Sequence, residues 1–264
     1  MEVLLITVAT FIAGVGSVLV AGFLSVNLLA KFEDYFLSFA AGALLSTAFL
    51  NLLPESFHLV DHHSELMLTL LLGIIFFFFL NKLHLYHHSH DNDKKIDISE
   101  ATRPNMADNK INERKFAGRL VIIILGDSIH KFGDGVLIAA AFIADTRVGV
   151  LATLAVLSHE VPHHIADITI IKEETNSFSK AIRSVSCAGL FSVVGGVSSF
   201  YLLDSFYGFL PFLLVIASSS FIYVALADLI PQLKKVVPIS KTMKQFFWLF
   251  VGVALIGLSS LLAH

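Results

Sequence analysis

Charged residues and cysteine are both scarce in this chain of 264 residues. Charged side chains make up 15% of it against 56% hydrophobic residues, and the mean hydropathy of +0.79 excludes an ordinary soluble domain. The one cysteine, Cys187, excludes a disulfide framework and a zinc site built on cysteine. Lysine and arginine are dispersed in loops, so the sequence offers no basic face for nucleic acid. We therefore expect an all-α protein that crosses the lipid bilayer several times.

Long apolar stretches account for most of the sequence. A helix needs about 20 mostly apolar residues to cross the hydrocarbon core, and eight such stretches lie between charged or turn residues. The first is longer than a signal peptide, so we expect it to be a retained span. The predicted spans cover residues 3–30, 36–60, 65–84, 117–144, 148–171, 181–203, 208–230 and 244–263.

One long polar connection separates three spans from five. It is rich in Asp, Asn, Lys and His, and we expect it to be flexible. The sequence thus predicts spans 1–3 within residues 1–84, a histidine-containing loop over 85–116, and spans 4–8 within 117–264, all in a single domain.

The basic residues indicate how the spans are oriented, because lysine and arginine accumulate on cytoplasmic loops. They lie after spans 1, 3, 5 and 7, whereas the opposite loops carry only Arg147. We therefore expect both termini outside the cytoplasm and the long loop inside it. The sequence does not identify the membrane.

A weak internal repeat links spans 2 and 7. Residues 36–56 align without gaps to residues 213–233, so that the segment 51–55 (NLLPE) faces 228–232 (DLIPQ). Because the two spans run in opposite directions, we predict an inverted repeat of spans 1–3 and 6–8 around a central pair of spans 4 and 5. The alternative is that the small residues in both stretches merely permit close helix packing.

Two polar runs interrupt spans 4 and 5 near the middle of the bilayer: residues 130–135 (HKFGDG) and 159–167 (HEVPHHIAD). Ionisable residues are costly at that depth, so function is their default explanation. Imidazole and carboxylate together bind divalent transition metals, and residues three, four or seven apart share a helix face. The predicted metal ligands are His130, Asp134, His159, Glu160, His163 and His164.

Other residues near these runs are candidates for supporting roles. Asp127 and Asp167 lie about a turn from the centre, where a carboxylate is either an entrance ligand or orients a histidine. Pro162 cannot donate a hydrogen bond to the carbonyl of Ser158, so we expect a kink there. Two glycines, Gly133 and Gly135, should let a neighbouring backbone come near.

At these residues the chain resembles the ZIP (Zrt/Irt-like) family of divalent metal transporters, and the resemblance covers nearly all of it. The family has eight transmembrane helices, outside termini and a cytoplasmic loop that often contains histidine. Its helix 4 motif His-Asn-Phe-x-Asp-Gly is matched at His130, Phe132, Asp134 and Gly135. Its helix 5 motif His-Glu-x-Pro-His-Glu-x-x-Asp is matched at His159, Glu160, Pro162, His163 and Asp167. The loop histidines here are His84, His87, His88 and His90, and the stretch of span 2 that ends at Glu55 is similar too.

Two positions depart from the family pattern, in which the Asn of helix 4 and the second Glu of helix 5 help to hold a second metal. This chain has Lys131 and His164 there. An ammonium cannot ligate, but it supplies positive charge where a second cation would sit. We therefore expect a single metal held by His130, His159, His163 and a carboxylate, with Lys131 paired to Glu160 or Asp134. The alternative is that Lys131 extends away from the site.

The resemblance implies uptake of a divalent transition metal into the cytoplasm by a protein that is not an enzyme and carries no cofactor. Histidine ligands favour Zn2+ as the transported ion, with Fe2+, Mn2+ and Cd2+ as alternatives. Asn51 and Glu55 in span 2 are candidates for the ion pathway or for orienting ligands. Exposed small-residue faces are compatible with a homodimer.

Two rival functions use the same residues. The segment 159–163 also fits HExxH, the zinc-and-base motif of metalloproteases, although a proline between the histidines disturbs the regular helix that this motif needs. A metal-sensing membrane protein would use the site without ion flux. The loop histidines fit such sensing, or are simply part of a solvated linker.

Overall fold

The computed structural model describes residues 2–24, 29–60, 63–92, 106–205, 207–233 and 237–261. Every regular element within these ranges is helical, which confirms the predicted all-α class. The described residues form eight helical rods, numbered here along the chain. They are α1 (Glu2–Leu24), α2 (residues 29–58), α3 (His63–Asn92), α4 (Met106–Ala144), α5 (Thr146–Thr175), α6 (Phe178–Ser205), α7 (Tyr207–Gln232) and α8 (Ile239–Leu261).

Six of these rods, all except α4 and α5, are long and apolar enough to cross a membrane. The two exceptions are the rods that carry the polar runs. The outer rods expose large apolar side chains such as Leu71 and Phe76 on α3 and Phe247 and Phe250 on α8. Apolar surface of this extent suits contact with lipid tails and not with water. The architecture is that of a multi-pass membrane protein, while the count of eight spans stays a prediction.

The helices on either side of the predicted loop are longer than the apolar spans. Helix α3 continues to Asn92 and α4 begins at Met106, so helix occupies both ends of the segment 85–116 that was predicted as a loop. Helical hydrogen bonds do not require apolar residues, and the segment from Met106 onward is rich in good helix formers. Residues 93–105 and the side chains of the four loop histidines lie outside the described residues.

The predicted repeat has a structural counterpart in α2 and α7. Helix α2 widens to a π-helix over Ala48–Leu52, and α7 does so over Val224–Leu229. Pro54 and Pro231 each follow two residues after the widened turn. A proline has no N–H to close an α-helical hydrogen bond, so the turn before it relaxes to a wider spacing. The same irregularity therefore stands at equivalent positions of the two halves.

Burial and packing follow the same symmetry. The buried share of the most apolar stretch is 39% in both α1 and α6, 72% and 61% in α2 and α7, and 11% and 17% in α3 and α8. Helix α2 packs on α8 as α7 packs on α3, and α1 packs on α5 as α6 packs on α4. If α1–α3 are exchanged with α6–α8, and α4 with α5, these helix contacts map onto one another. An inverted repeat around a central α4 and α5 requires this correspondence.

Close backbone contacts hold α4 against α6. A Cβ added to Gly135 would lie 1.9 Å from the carbonyl oxygen of Ser192, and one added to Gly195 would lie 2.1 Å from that of Phe132. Only glycine permits this approach, as predicted for Gly135. The prediction for Gly133 was wrong, because a Cβ there would meet nothing within 4 Å.

Helix α5 begins with a side-chain cap and continues through its proline. The carboxylate of Asp145 accepts hydrogen bonds from the backbone N–H groups of Arg147, at 2.7 Å, and Val148, at 3.2 Å. These bonds satisfy donors that have no partner inside the helix. The helix is continuous from Thr146 to Thr175 with Pro162 inside it, so one missing hydrogen bond does not end it.

Candidate metal centre

Seven histidine and acidic side chains meet where α4 and α5 pack together, in two adjacent groups. The central group consists of His130, Asp134, His159 and Glu160, and the second group of His163, His164 and Asp167. In each group the potential ligand atoms lie within 4.8 Å of one another. The fold thus brings all six predicted ligands together, with Asp167, but divides them between two groups.

The central group joins two side chains from each helix. His130 Nε2 lies 3.7 Å from Asp134 Oδ2 and 3.6 Å from Glu160 Oε1, and His159 Nε2 lies 3.2 Å from the same Glu160 oxygen. Two ligands of one tetrahedral zinc ion, each bonded at about 2.0–2.2 Å, lie roughly 3.3–3.6 Å apart. The spacing therefore suits a single ion with little rearrangement.

The backbone fixes which nitrogen of His159 faces the centre. His159 Nδ1 lies 3.3 Å from the carbonyl oxygen of Ala155, one turn earlier on α5. With the proton assigned to Nδ1, that ring nitrogen donates to the carbonyl and leaves the lone pair of Nε2 directed at the central group. The i to i−4 spacing made this contact foreseeable from the sequence, although it was not predicted.

The second group lies one turn further along α5. His163 Nδ1 is 3.0 Å from Asp167 Oδ2. His164 Nε2 is 3.2 Å from Glu160 Oε2, whereas the other oxygen of Glu160 faces the central histidines. The Glu160 side chain therefore lies between the two groups.

The predicted ligand set of His130, His159 and His163 around one metal stays a prediction. His163 belongs to the second group, although its ring centroid is 6.1 Å from that of His130. Asp167 lies four residues later on the same face of α5, and its Oδ2 is 3.0 Å from His163 Nδ1. Of the three predicted histidines, two remain in the central group.

Lys131 is buried beside the central group. Its side chain is 1% exposed, and its ammonium contacts the carboxylate of Glu160 and lies 3.3 Å from Asp127 Oδ1. The alternative that Lys131 extends away from the site is therefore wrong. Of the two partners considered from the sequence, Glu160 is in contact, and Asp127 takes the place expected of Asp134.

The span 2 candidates lie in the widened turn of α2 and just after it. Asn51 is buried in the widened turn of α2, where its side-chain Nδ2 makes no hydrogen bond. Glu55 is half-buried at the next turn and belongs to neither ligand group. Their predicted roles in an ion pathway stay predictions.

A family model described as ZIP zinc transporter matches residues 2–260. This chain belongs to the ZIP zinc transporter family. It is 26% identical to zinc transporter YKE4 of Saccharomyces cerevisiae over 240 residues, which cover 84% of this chain and 69% of the relative. It is 25% identical to the zinc transporter ZIP13 homolog of Drosophila melanogaster over 279 residues, covering 88% and 79%. Human zinc transporter ZIP4 is 27% identical over 250 residues, covering 76% and 38%.

Membership in the ZIP family confirms the predicted resemblance and the multi-pass membrane setting. It also argues against the protease, since the members are transporters and not enzymes. The geometry agrees, because an HExxH protease holds both histidines on one zinc ion, whereas His159 and His163 lie in different groups here.

Proposed function

We propose that this ZIP protein carries divalent transition metal ions, chiefly Zn2+, across the membrane into the cytoplasm. One observation carries the proposal: four ligand atoms from the middle of α4 and α5 lie within 4.8 Å of one another in the central group. Asp134, His159 and Glu160 are all buried there. Buried charged groups are costly unless they are paired or bind metal ions.

The donor atoms indicate which ions the central group binds. Two imidazole nitrogens and two carboxylates suit Zn2+, whereas Mg2+ and Ca2+ prefer shells made of oxygen. Fe2+, Mn2+ and Cd2+ accept the same donors and are competing cargo. The names of the relatives, which are zinc transporters, support Zn2+ as the main cargo.

Lys131 limits the central group to one ion. Asp127, Asp134 and Glu160 contribute three negative charges within reach of the site, and the ammonium of Lys131 contributes one positive charge. One dication balances the remaining two charges, and a second would leave an excess of positive charge in a region of low dielectric constant. The ammonium thus takes the electrostatic place of a second metal ion.

Transport also requires access to the central group from each side in turn. The related halves, α1–α3 and α6–α8, pack on the central pair in matching ways. Rocking of these halves against α4 and α5 would open the site first to one side and then to the other. The distribution of lysine and arginine supports an orientation with both termini outside the cytoplasm.

Ion uptake into liposomes tests the proposal directly. Purified protein is reconstituted, and entry of Zn2+, Cd2+, Fe2+ and Mn2+ is followed with a fluorescent chelator inside the vesicles. We expect Zn2+ to enter fastest and the His159→Ala variant to lose uptake. His58→Ala, which changes an exposed histidine of α2 outside both groups, is the matched control. Absence of flux from folded wild-type protein would contradict transport and favour a sensing role.

A further inference from the structure

We propose that a phospholipid binds in an apolar cleft where α1, α2, α5 and α8 meet, with one acyl chain inside the cleft and its phosphate beside lysines at the membrane surface. The cleft encloses about 210 Å³. Its walls include Val20 of α1, Phe39 of α2, Leu157 of α5 and Leu255 of α8. The site uses none of the candidate metal ligands, so it stands apart from the proposed function.

The lining of the cleft suits hydrocarbon and not water. Its buried part is formed by apolar side chains, among them Ala43, Val161 and Ile256. Ser158 is the one polar residue that the described part of the chain contributes to the lining, and it donates its hydroxyl to the carbonyl oxygen of Ala155 at 2.7 Å. A smaller cavity of about 150 Å³ lined by Leu, Ile and Phe stays dry and admits benzene. The cleft therefore accepts an apolar ligand.

The cleft is open to the surroundings of the helix bundle. At its edge, Val20 is 43% exposed, Leu154 is 43% exposed and Leu255 is 54% exposed. These residues lie inside the helices of a multi-pass membrane protein, where the surroundings are lipid tails. Side chains that border a gap lack dispersion contacts on one side, and a lipid tail that enters the gap restores them.

Two lysines lie where the phosphate of such a lipid would be. Lys244 is on the same face of α8 as Leu255, and Lys172 is on the same face of α5 as Val161. Both lysines are exposed, and each lies roughly 16 Å along its helix from the cleft. Trp248, one turn after Lys244, is 41% exposed, as is common at a membrane interface. In the predicted orientation both lysines face the cytoplasmic leaflet, which contains anionic lipids.

An acyl chain in the cleft would pack on the turn of α5 that carries metal ligands. Leu157 and Val161 line the cleft, and His159 and Glu160 lie between them in the sequence. Pro162 deprives this part of the helix of one backbone hydrogen bond. Packing by the lipid would therefore support the helix where its own hydrogen bonding is weakest.

Photolabelling tests the site without any measurement of transport. The wild type is reconstituted in phosphatidylglycerol with a trace of an analogue that carries a diazirine in the middle of one acyl chain. It is then washed in detergent and irradiated, and the label is mapped by mass spectrometry. We expect label on residues 154–161 of α5 to persist, while label around Leu71 on the exposed face of α3 is washed away. Equal persistence on both helices would overturn the proposal.

Filling the cleft tests whether its shape is responsible. Ala43→Leu extends a buried side chain into the cleft, and the retained label on α5 should fall about 10-fold, which corresponds to roughly ten lost atom–atom contacts. Leu255→Trp places an indole across the opening and should also lower it. Leu71→Trp is the matched control, because Leu71 on α3 is 55% exposed and lies outside the cleft. Undiminished label in the folded cleft variants would contradict binding there.

Removing the lysine charges tests the position of the phosphate. Lys172→Gln/Lys244→Gln should lower the retained label about 10-fold or more, because each lysine near an anionic headgroup contributes attraction. Lys180→Gln, which changes an exposed lysine of α6 outside the cleft, is the control. Unchanged retention in the double variant would refute the assigned headgroup position. A native mass spectrum of the wild type with a second chain and no lipid would assign the cleft to a protein interface and overturn the proposal.

Discussion

The ammonium of Lys131 lies against the carboxylate of Glu160 in the interior of the helix bundle, where the two side chains are 1% and 0% exposed. Removing either partner of an ion pair at this depth is strongly destabilising, since the other partner would remain as an unpaired buried charge. Glu160 also contacts both central histidines and His164. A change in the charge at Lys131 should therefore shift Glu160 and, with it, the histidines that Glu160 contacts.

Replacing Lys131 by asparagine should change the number of tightly bound ions. Lys131→Asn removes the ammonium and restores the residue that the family pattern has at this position. The extra negative charge should then draw in a second cation, so tightly bound zinc should rise from one to two ions per chain. Elemental analysis after gel filtration measures this, with Lys172→Asn on the exposed face of α5 as the control. Two tight ions in the wild type would refute the substitute-charge role.

Replacing Lys131 by methionine should destabilise the metal-free protein. Lys131→Met keeps the bulk but leaves Glu160 and Asp127 without their cation, and breaking a buried pair costs about 3–5 kcal/mol. Thermal unfolding in detergent with a chelator present should therefore begin at a lower temperature. Saturating zinc should recover part of the loss by binding the folded state. Equal stability of the two chelated proteins would contradict a matched pair.

Zinc uptake should fall as pH decreases. Imidazole binds a metal ion through a lone pair that protonation occupies, and its ordinary pKa is about 6.5. Uptake should therefore be fastest near pH 8 and decline towards pH 5. The liposomes carry the same pH on both sides, so that no proton gradient contributes, and protein-free vesicles correct for leakage. A flat profile would argue against histidine ligands.

Two neighbouring glycines should respond in opposite ways to the same substitution. Gly135→Ala places a methyl group 1.9 Å from the carbonyl oxygen of Ser192, so α4 and α6 must separate, and we expect a loss of about 1–3 kcal/mol together with reduced uptake. Gly133→Ala meets nothing within 4 Å and should stabilise the helix by about 0.5–1 kcal/mol. Thermal unfolding and uptake of both variants test this. Equal losses would show that helix separation is not the cause.

The sequence predicted what is set by composition and local spacing. Apolar length indicated the helical class, and the alignment of residues 36–56 with 213–233 indicated that α2 and α7 are related. The matching widened turns before Pro54 and Pro231 were not predicted. The candidate ligands were chosen for their cost at mid-membrane depth, and the structure brings them close together, while their role as ligands stays a prediction. The helical class and the relation between α2 and α7 depend on neighbours in the chain, so the sequence alone was sufficient for them.

What the sequence did not predict depends on how helices rotate against each other. Whether His163 faced His130 or Asp167 was a choice between an interhelical contact and an intrahelical one, and helical periodicity treats the two alike. Gly133 and Gly135 differ by two positions and therefore face different neighbours, yet they read alike as small residues. Helices α3 and α4 extend into the two ends of the predicted polar loop. The sequence analysis missed these extensions because it assumed that each helix ends where the polar residues begin.

The widened turns of α2 and α7 have a mechanical consequence. A π-helical turn contains about one residue more than an α-helical turn, and one residue corresponds to about 100° of rotation around the axis. Conversion of Ala48–Leu52 to regular α-helix would rotate the part of α2 that contains Glu55 about the helix axis, while α2 remains a continuous helix. Because Val224–Leu229 occupies the matching place in α7, both halves of the molecule contain a π-helical segment that permits this rotation.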